Sequence, residues 1–275
     1  MKNDIRREVC VITGGGSGMG LAAAKFMPTE KIIVVTGRTM AKLEKSVTEL
    51  KALGYEAYAK ACDTSIREQV RELAEYAASL GEIKNVIHSA GLSPAMADPE
   101  KLIRVNALGT VYVNEEFSKR MGAGSVIVDI SSNSAYMIPG LLASKKVFAL
   151  ADTNEALFLK KILALPNKLK GYQASGLAYG LSKKFVIWYA AKCAFAYGQK
   201  GIRVCSLSPG LIATDMGNLE AEEGGDLLKT TAEKRMGKPE ELGFAIASVA
   251  DERNGYLAGV DVLVDGGSVI GKQYQ

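Results

Sequence analysis

A single histidine, His88, stands in a chain of 275 residues. That scarcity excludes zinc sites built on two or three imidazoles, and no metal site is expected. A nucleophilic triad would have to recruit His88, which ends the apolar run Asn85-Val86-Ile87, so acid–base work must fall to another residue type. Cysteine is scarce too. Cys10, Cys62, Cys193 and Cys205 lie far apart with no Cys-x-x-Cys pair, and three of them sit in apolar runs. They read as buried reduced thiols in a cytoplasmic protein. No charge of one sign dominates: the net charge is +4, and Lys42, Glu44, Lys45, Glu49 and Lys51 alternate as on a solvated helix face. That pattern argues against a nucleic-acid partner. Hydrophobic runs long enough for a membrane span are missing, and Val9–Ile12, after the charged start at residues 1–8, is too short for a signal sequence. Repeats, low-complexity tracts and Pro/Gly/Ser linkers are absent as well, which leaves one domain over residues 1–275.

What is present alternates. Short runs rich in Val and Ile predict strands at Glu8–Thr13, Lys31–Thr36, Glu56–Ala59, Asn85–His88, Ser125–Ile130, Ile202–Ser206 and Val260–Val264. They are apolar almost throughout, as strands buried on both faces are. Helix-period segments lie between them, among them Met40–Leu53 with Gly54 as its stop and Ile66–Leu80 ending before Gly81. Strand–helix–strand repetition predicts an α/β fold: a doubly wound, Rossmann-like parallel sheet of about seven strands with helices on both faces.

Thr13-Gly14-Gly15-Gly16-Ser17-Gly18-Met19-Gly20 joins the first strand to a helix at Leu21–Phe26. Glycines let a backbone approach a pyrophosphate closely, and a helix start offers free N–H groups, so the loop predicts dinucleotide binding through Gly14, Gly16, Ser17, Gly18, Met19 and Gly20. Its Thr-Gly-xxx-Gly-x-Gly spacing resembles that of the short-chain dehydrogenase/reductase family. The resemblance spans about Glu8 to Gly267 and implies a nicotinamide cofactor. NAD-dependent members carry an Asp where this chain has Gly37, and Arg38 follows with a guanidinium able to grip a phosphate. Arg38 and Thr39 therefore point to NADP(H). Asp63 and Thr64, ending strand three, are a helix cap, an adenine contact, or both. Ser89-Ala90-Gly91 resembles the family's Asn-Asn-Ala-Gly turn with His88 and Ser89 in place of the asparagines, leaving Ala90 and Gly91 as backbone contacts. Pro209, Gly210, Ile212 and Thr214 resemble the segment that orients the nicotinamide.

Tyr179 and Lys183 sit four apart in a helix predicted from Ala178 to Tyr197, sharing one face. An ammonium beside a phenol favours the phenolate, so such a tyrosine can exchange a proton with a carbonyl oxygen. The family pattern Ile-Ser-Ser matches Ile130-Ser131-Ser132 and implies Ser132 as the holder of the substrate oxygen, with Ser131 and Ser134 in reserve. Asn106, predicted mid-helix where Asn is disfavoured, matches the Asn that links the catalytic Lys to a water chain. The catalytic set is thus Ser132, Tyr179, Lys183 and Asn106, and the implied reaction interconverts a ketone or aldehyde and an alcohol. A catalytically inactive NADP-binding regulatory protein is the competing reading, and the presence of all four residues argues against it.

The 46 residues between Ser132 and Tyr179 (133–178) exceed the length common in the family. This insertion, at about 136–172, is similar to the enlarged segment of bacterial 3α-hydroxysteroid dehydrogenase/carbonyl reductases. It is expected to wall or lid the substrate and to reshape one helix-mediated subunit contact of a homodimer or homotetramer. A helix near Asp152–Ala164, capped by Asp152 or Thr153, is predicted inside it. Residues 211–237, with Met216, Leu219, Leu227, Leu228 and Met236 and the hinge candidates Gly217, Gly224, Gly225 and Gly237, are expected to form a substrate loop suited to an apolar, steroid-like substrate.

Overall fold

The computed structural model describes residues 7–223, 227–271 and 274. The charged start at residues 1–6 and the hinge candidates Gly224 and Gly225 lie outside the described residues.

Seven strands form one parallel sheet: β1 (Glu8–Thr13), β2 (Ile32–Gly37), β3 (Glu56–Ala61), β4 (Glu82–His88), β5 (Val126–Ile130), β6 (Arg203–Pro209) and β7 (Asp261–Val264), in the order β3-β2-β1-β4-β5-β6-β7. The strand order reverses between β1 and β4, and a ligand crevice is expected outside the carboxyl ends there. Alternation of side chains sorts the core into two layers. Val9, Val11, Val34, Val86, Ile127 and Val204 face α3 (Arg67–Leu80), α5 (Gly109–Ser118) and α9 (Gly171–Gly198). Cys10, Ile12, Ile33, Val35, Ile87 and Val128 face α1 (Gly18–Ala24), α2 (Met40–Ala52) and α11 (Pro239–Ala250). Both faces of the central strands are thereby sealed, which is why they read as unbroken apolar runs. All four cysteines are buried and free.

Three local predictions need correction. The helix α9 starts at Gly171, not Ala178, so Tyr179 lies two turns inside it. Its first turns carry little periodic apolar signal and are held by tertiary contact, including Ser175 Oγ donating to the Ala97 carbonyl at 3.1 Å. Asn106 is not in an ordinary helix. Between α4 (Pro99–Ile103) and α5 the chain widens into a π-helical turn at Arg104–Leu108, a device common near functional sites. In the insertion, α8 spans Glu155–Ile162 and is capped by Asn154, whose side chain accepts from Leu157 N at 3.0 Å; Asp152 instead pairs with Lys192 of α9.

The insertion is built on α9. The short helices α6 (Ser134–Met137) and α7 (Lys145–Phe148) precede α8, and Phe148 and Phe158 lie edge-on and tilted against Phe185 at 5.4 and 5.3 Å between ring centres. Glu155, at the start of α8, accepts from Tyr112 of α5 at 2.8 Å. Beyond β6, α10 (Asp215–Glu223) follows the strand, and α12 (Ser268–Gly271) closes the described chain after β7.

Candidate active site

A cavity of about 540 Å³ opens across the carboxyl ends of β1, β2, β4, β5 and β6. One wall is the glycine loop. Gly14 takes φ +70°, and a side chain there would meet Ala90 N and the Ser89 backbone at 2.9 Å. At Gly20 a Cβ would stand 2.6 Å from the Gly14 carbonyl oxygen and 2.5 Å from Ser89 Oγ. The two glycines therefore let the loop, the start of α1 and the turn after β4 lie against one another, and this close packing shapes the loop that borders the cavity.

The turn after β4 is fixed by Thr13. Its hydroxyl accepts from Ala90 N at 3.1 Å and lies 2.8 Å from His88 Nδ1, while its carbonyl accepts from Ser89 Oγ at 2.6 Å. Burial, and then the Lys183 charge, push His88 down to about 3, so the ring is neutral. The single histidine is a structural residue behind the crevice.

Across the cavity, Tyr179 and Lys183 are buried on one face of α9, with the ammonium 5.8 Å from the phenol ring centre. Lys183 Nζ donates to the Ile130 carbonyl at 2.9 Å, and Ser131 Oγ donates to the Lys183 carbonyl at 2.8 Å. The end of β5 is thus bonded to α9 at both ends of that lysine. Both Ser131 and Ser132 line the cavity, but Ser131 Oγ is engaged by the Lys183 carbonyl, whereas Ser132 Oγ accepts from Ser134 N at 3.2 Å. Ser134 Oγ is buried without a hydrogen-bond partner and is not part of the cavity wall. Gly91 completes the corner: a Cβ there would reach 3.2 Å from Asn106 Oδ1 and 3.4 Å from Lys183 Nζ.

Asn106 lies behind this corner. Its Oδ1 accepts from Leu92 N at 2.8 Å, and its Nδ2 donates to the Leu92 carbonyl at 3.0 Å and to Ser182 Oγ at 3.2 Å. Ser182 Oγ in turn donates to the Tyr179 carbonyl at 2.7 Å. The contacts of Asn106 thus tie the turn after β4 to the helix that carries Tyr179.

Ser132, Tyr179 and Lys183 are brought together on the cavity wall, and Asn106 stands behind it. Of the expected cofactor contacts, Gly14, Ser17, Gly18, Met19, Gly20, Arg38, Asp63, Thr64, Ala90, Gly91, Pro209, Gly210, Ile212 and Thr214 line the same cavity. Gly16 and Thr39 do not. Thr39 instead occupies the N-cap position of α2, where its carbonyl serves Lys42 N and Leu43 N. Asp63 caps no helix by its side chain: its carboxylate holds Ser65 N and Ser65 Oγ at 2.9 and 2.6 Å, and the N-cap of α3 is Ile66. Met216 joins the wall, while Leu219 is exposed and the side chain of Leu227 lies outside the described residues. No residue from 136 to 172 lines this cavity. The insertion's Phe148 and Phe158 pack on Phe185 of α9, and its Tyr136 donates to Asp261 at 2.6 Å. Sequence reasoning missed Leu92 and Val105, apolar parts of the wall whose only signal was adjacency to Gly91 and Asn106.

Residues 8–144 match the short chain dehydrogenase family, and residues 163–268 match the enoyl-(acyl carrier protein) reductase family. The chain is 30% identical over 268 residues to the short-chain dehydrogenase/reductase bsc3 of Alternaria brassicicola, covering 96% of each chain. This protein belongs to the short-chain dehydrogenase/reductase family. It is therefore an oxidoreductase of the class that acts on alcohols and carbonyls. The 7alpha-hydroxysteroid dehydrogenase of Escherichia coli is 24% identical over 274 residues, covering 95% of this chain and 94% of the relative. Among solved structures, a short chain dehydrogenase from Burkholderia cenocepacia in complex with NADP superposes with a TM-score of 0.76 at 21% identity, covering 97% of this chain and 99% of that one. That likeness speaks for the single-domain, seven-stranded family fold. Among the described residues there is no cluster of metal-ligating side chains, and no helix is long and apolar enough to cross a membrane.

Proposed function

We propose that this short-chain dehydrogenase/reductase is an NADP(H)-dependent enzyme that interconverts a ketone or aldehyde and an alcohol, with Tyr179 as general acid/base. The observation that carries the reading is the buried face of α9: phenol and ammonium sit on one wall with Ser132, in a cavity continuous with the glycine loop. The glycine loop at the start of α1, lining the cavity through Gly14, Ser17, Gly18 and Gly20, fits a dinucleotide phosphate backbone, and Arg38 after β2, beside Gly37, fits a ribose phosphate better than a ribose hydroxyl. Bound nicotinamide supplies or accepts the hydride. Ser132 holds the substrate oxygen through its hydroxyl. Tyr179 gives that oxygen a proton in reduction and removes one in oxidation. Lys183, fixed by the Ile130 carbonyl, lowers the cost of the phenolate, each pKa unit being worth about 1.4 kcal/mol. Asn106, through Leu92 and Ser182, holds the two sides of the site in register.

Leu92, Val105, Ile130, Ile212 and Met216 give the substrate end an apolar lining, which favours a hydrophobic ketone or secondary alcohol, steroid ketones first. The hydroxysteroid relative supports that order of testing. A cytoplasmic location suits the four free thiols. The assembly is a homodimer or homotetramer, with the insertion reshaping one helix-mediated subunit contact. The experiment is nicotinamide oxidation at 340 nm against steroid ketones, quinones and small aldehydes, with NADPH and NADH in parallel. Turnover with higher kcat/KM for NADPH is the expected result. A preference for NADH would overturn the cofactor assignment, and binding of NADPH with no turnover on any carbonyl would favour the regulatory reading.

A further inference from the structure

Asp129 stands near the end of β5 with none of its surface exposed. Its hydrogen bonds come from a neutral amide: Asn114 Nδ2 of α5 donates to the two carboxylate oxygens at 3.0 and 2.9 Å. Strand alternation puts Asp129 and Ser131 on the α9 side of the sheet, and the two residues after Asp129 are those that grip Lys183, through the Ile130 carbonyl and Ser131 Oγ. On the neighbouring strand its register partner is His88. A carboxyl group is thus sealed beneath the catalytic lysine, on the strand that positions it.

We propose that Asp129 is a positioning residue for the Tyr179–Lys183 pair: its buried carboxyl, on the strand whose next two residues grip Lys183, acts through that lysine to set how readily the Tyr179 phenol releases its proton. This role rests on the functional reading above. Burial raises Asp129 to about 7, against the opposing pull of the Asn114 bond and of Lys183. The other titratable groups around it are silent near neutrality. Burial pushes Cys193 of α9 up to about 12, Cys205 of β6 is also raised by burial, and His88 of β4 is held neutral. Of this set, only Asp129 and Lys183 carry charge there. Ionised, Asp129 offsets the ammonium; protonated, it leaves the whole lysine charge to act on the phenol.

Asp129→Asn keeps an oxygen acceptor for Asn114 and fixes the neutral state. The pH limb of kcat that reports Tyr179 should then move down by about half a unit to one unit, with NADPH affinity unchanged. Thermal stability supplies a readout independent of turnover. The folded carboxyl binds its proton more tightly than the unfolded one, so wild-type stability should fall relative to Asp129→Asn as pH rises toward about 7. Superimposable kcat profiles, or a stability difference that ignores pH, would overturn the role. Should the variant fail to fold, the infrared carboxylic-acid band of the wild type replaces it: the band should grow as pH falls through about 7, and its absence refutes the proposal. Tyr179→Phe separates the two levels. Full turnover there overturns the functional reading and this role with it, whereas a dead Tyr179→Phe with superimposable profiles removes the Asp129 role alone.

Discussion

The two ends of the parallel sheet treat buried polar groups in opposite ways. At the amino ends they are matched. Lys31, just before β2, donates to Asn85 Oδ1 at 2.9 Å and pairs with Glu8 and Glu252, and Asn85 passes the chain on to the Ala250 carbonyl at 2.9 Å. Arg203 opens β6 with its guanidinium on the carbonyls of Leu257 and Asp251 at 2.9 and 2.8 Å. At the carboxyl ends, Thr36 Oγ1, His88 Nε2, Ser93 Oγ, Ser134 Oγ and Ser208 Oγ are buried without hydrogen-bond partners, as is Asn114 Oδ1 beside Asp129. Satisfied polar burial ties the amino ends together; these unmatched atoms lie toward the carboxyl ends, behind the cavity wall rather than on it. A single polar residue in an apolar strand can serve either purpose, and only its partners say which.

Substitutions at the two ends should therefore fail differently. Gly20→Ala at the carboxyl end drives a Cβ into the Gly14 carbonyl and Ser89 Oγ; NADPH affinity by fluorescence titration should weaken by roughly 100-fold, about 2.7 kcal/mol. A Kd within threefold of wild type would mean the loop does not hold the dinucleotide. Lys31→Met at the amino end leaves Asn85 Oδ1 without its donor, and should cost about 2 kcal/mol of stability and lower Tm by roughly 4–8 °C. Its kcat/KM should stay within twofold; a large kinetic loss would erase the division between the ends. Arg38→Ala, exposed at the cavity rim, should leave Tm alone and lower the NADPH-over-NADH preference by about tenfold, or 1.4 kcal/mol. An unchanged preference would return Arg38 to the role of a surface residue.

Much of this was legible in the sequence where local chemistry dominates. Seven apolar runs became seven strands because a parallel sheet buried on both faces leaves no alternation to misread. The glycine loop was legible because its spacing is set by close approach. The insertion was not. Phe148 and Phe158 look alike as lining for a substrate and as packing for Phe185, and only the path of the chain separates the two. The start of α9 escaped for a related reason, since the residues before Ala178 are held helical by tertiary contact rather than by an apolar stripe. Asp129 carried no sequence signal at all; a carboxylate at the end of a buried strand gains meaning only when Asn114 and Lys183 are seen around it.

The most direct trial of the account is the Tyr179→Phe variant, assayed for NADPH binding and for turnover in one preparation. The phenyl ring preserves the packing of α9 and removes only the phenolic hydroxyl. Binding should stay within about threefold of wild type while kcat falls by roughly 1,000-fold or more, a loss of about 4 kcal/mol in transition-state stabilisation. Wild-type turnover in the variant would contradict a phenol poised by Lys183 as the proton-transfer group.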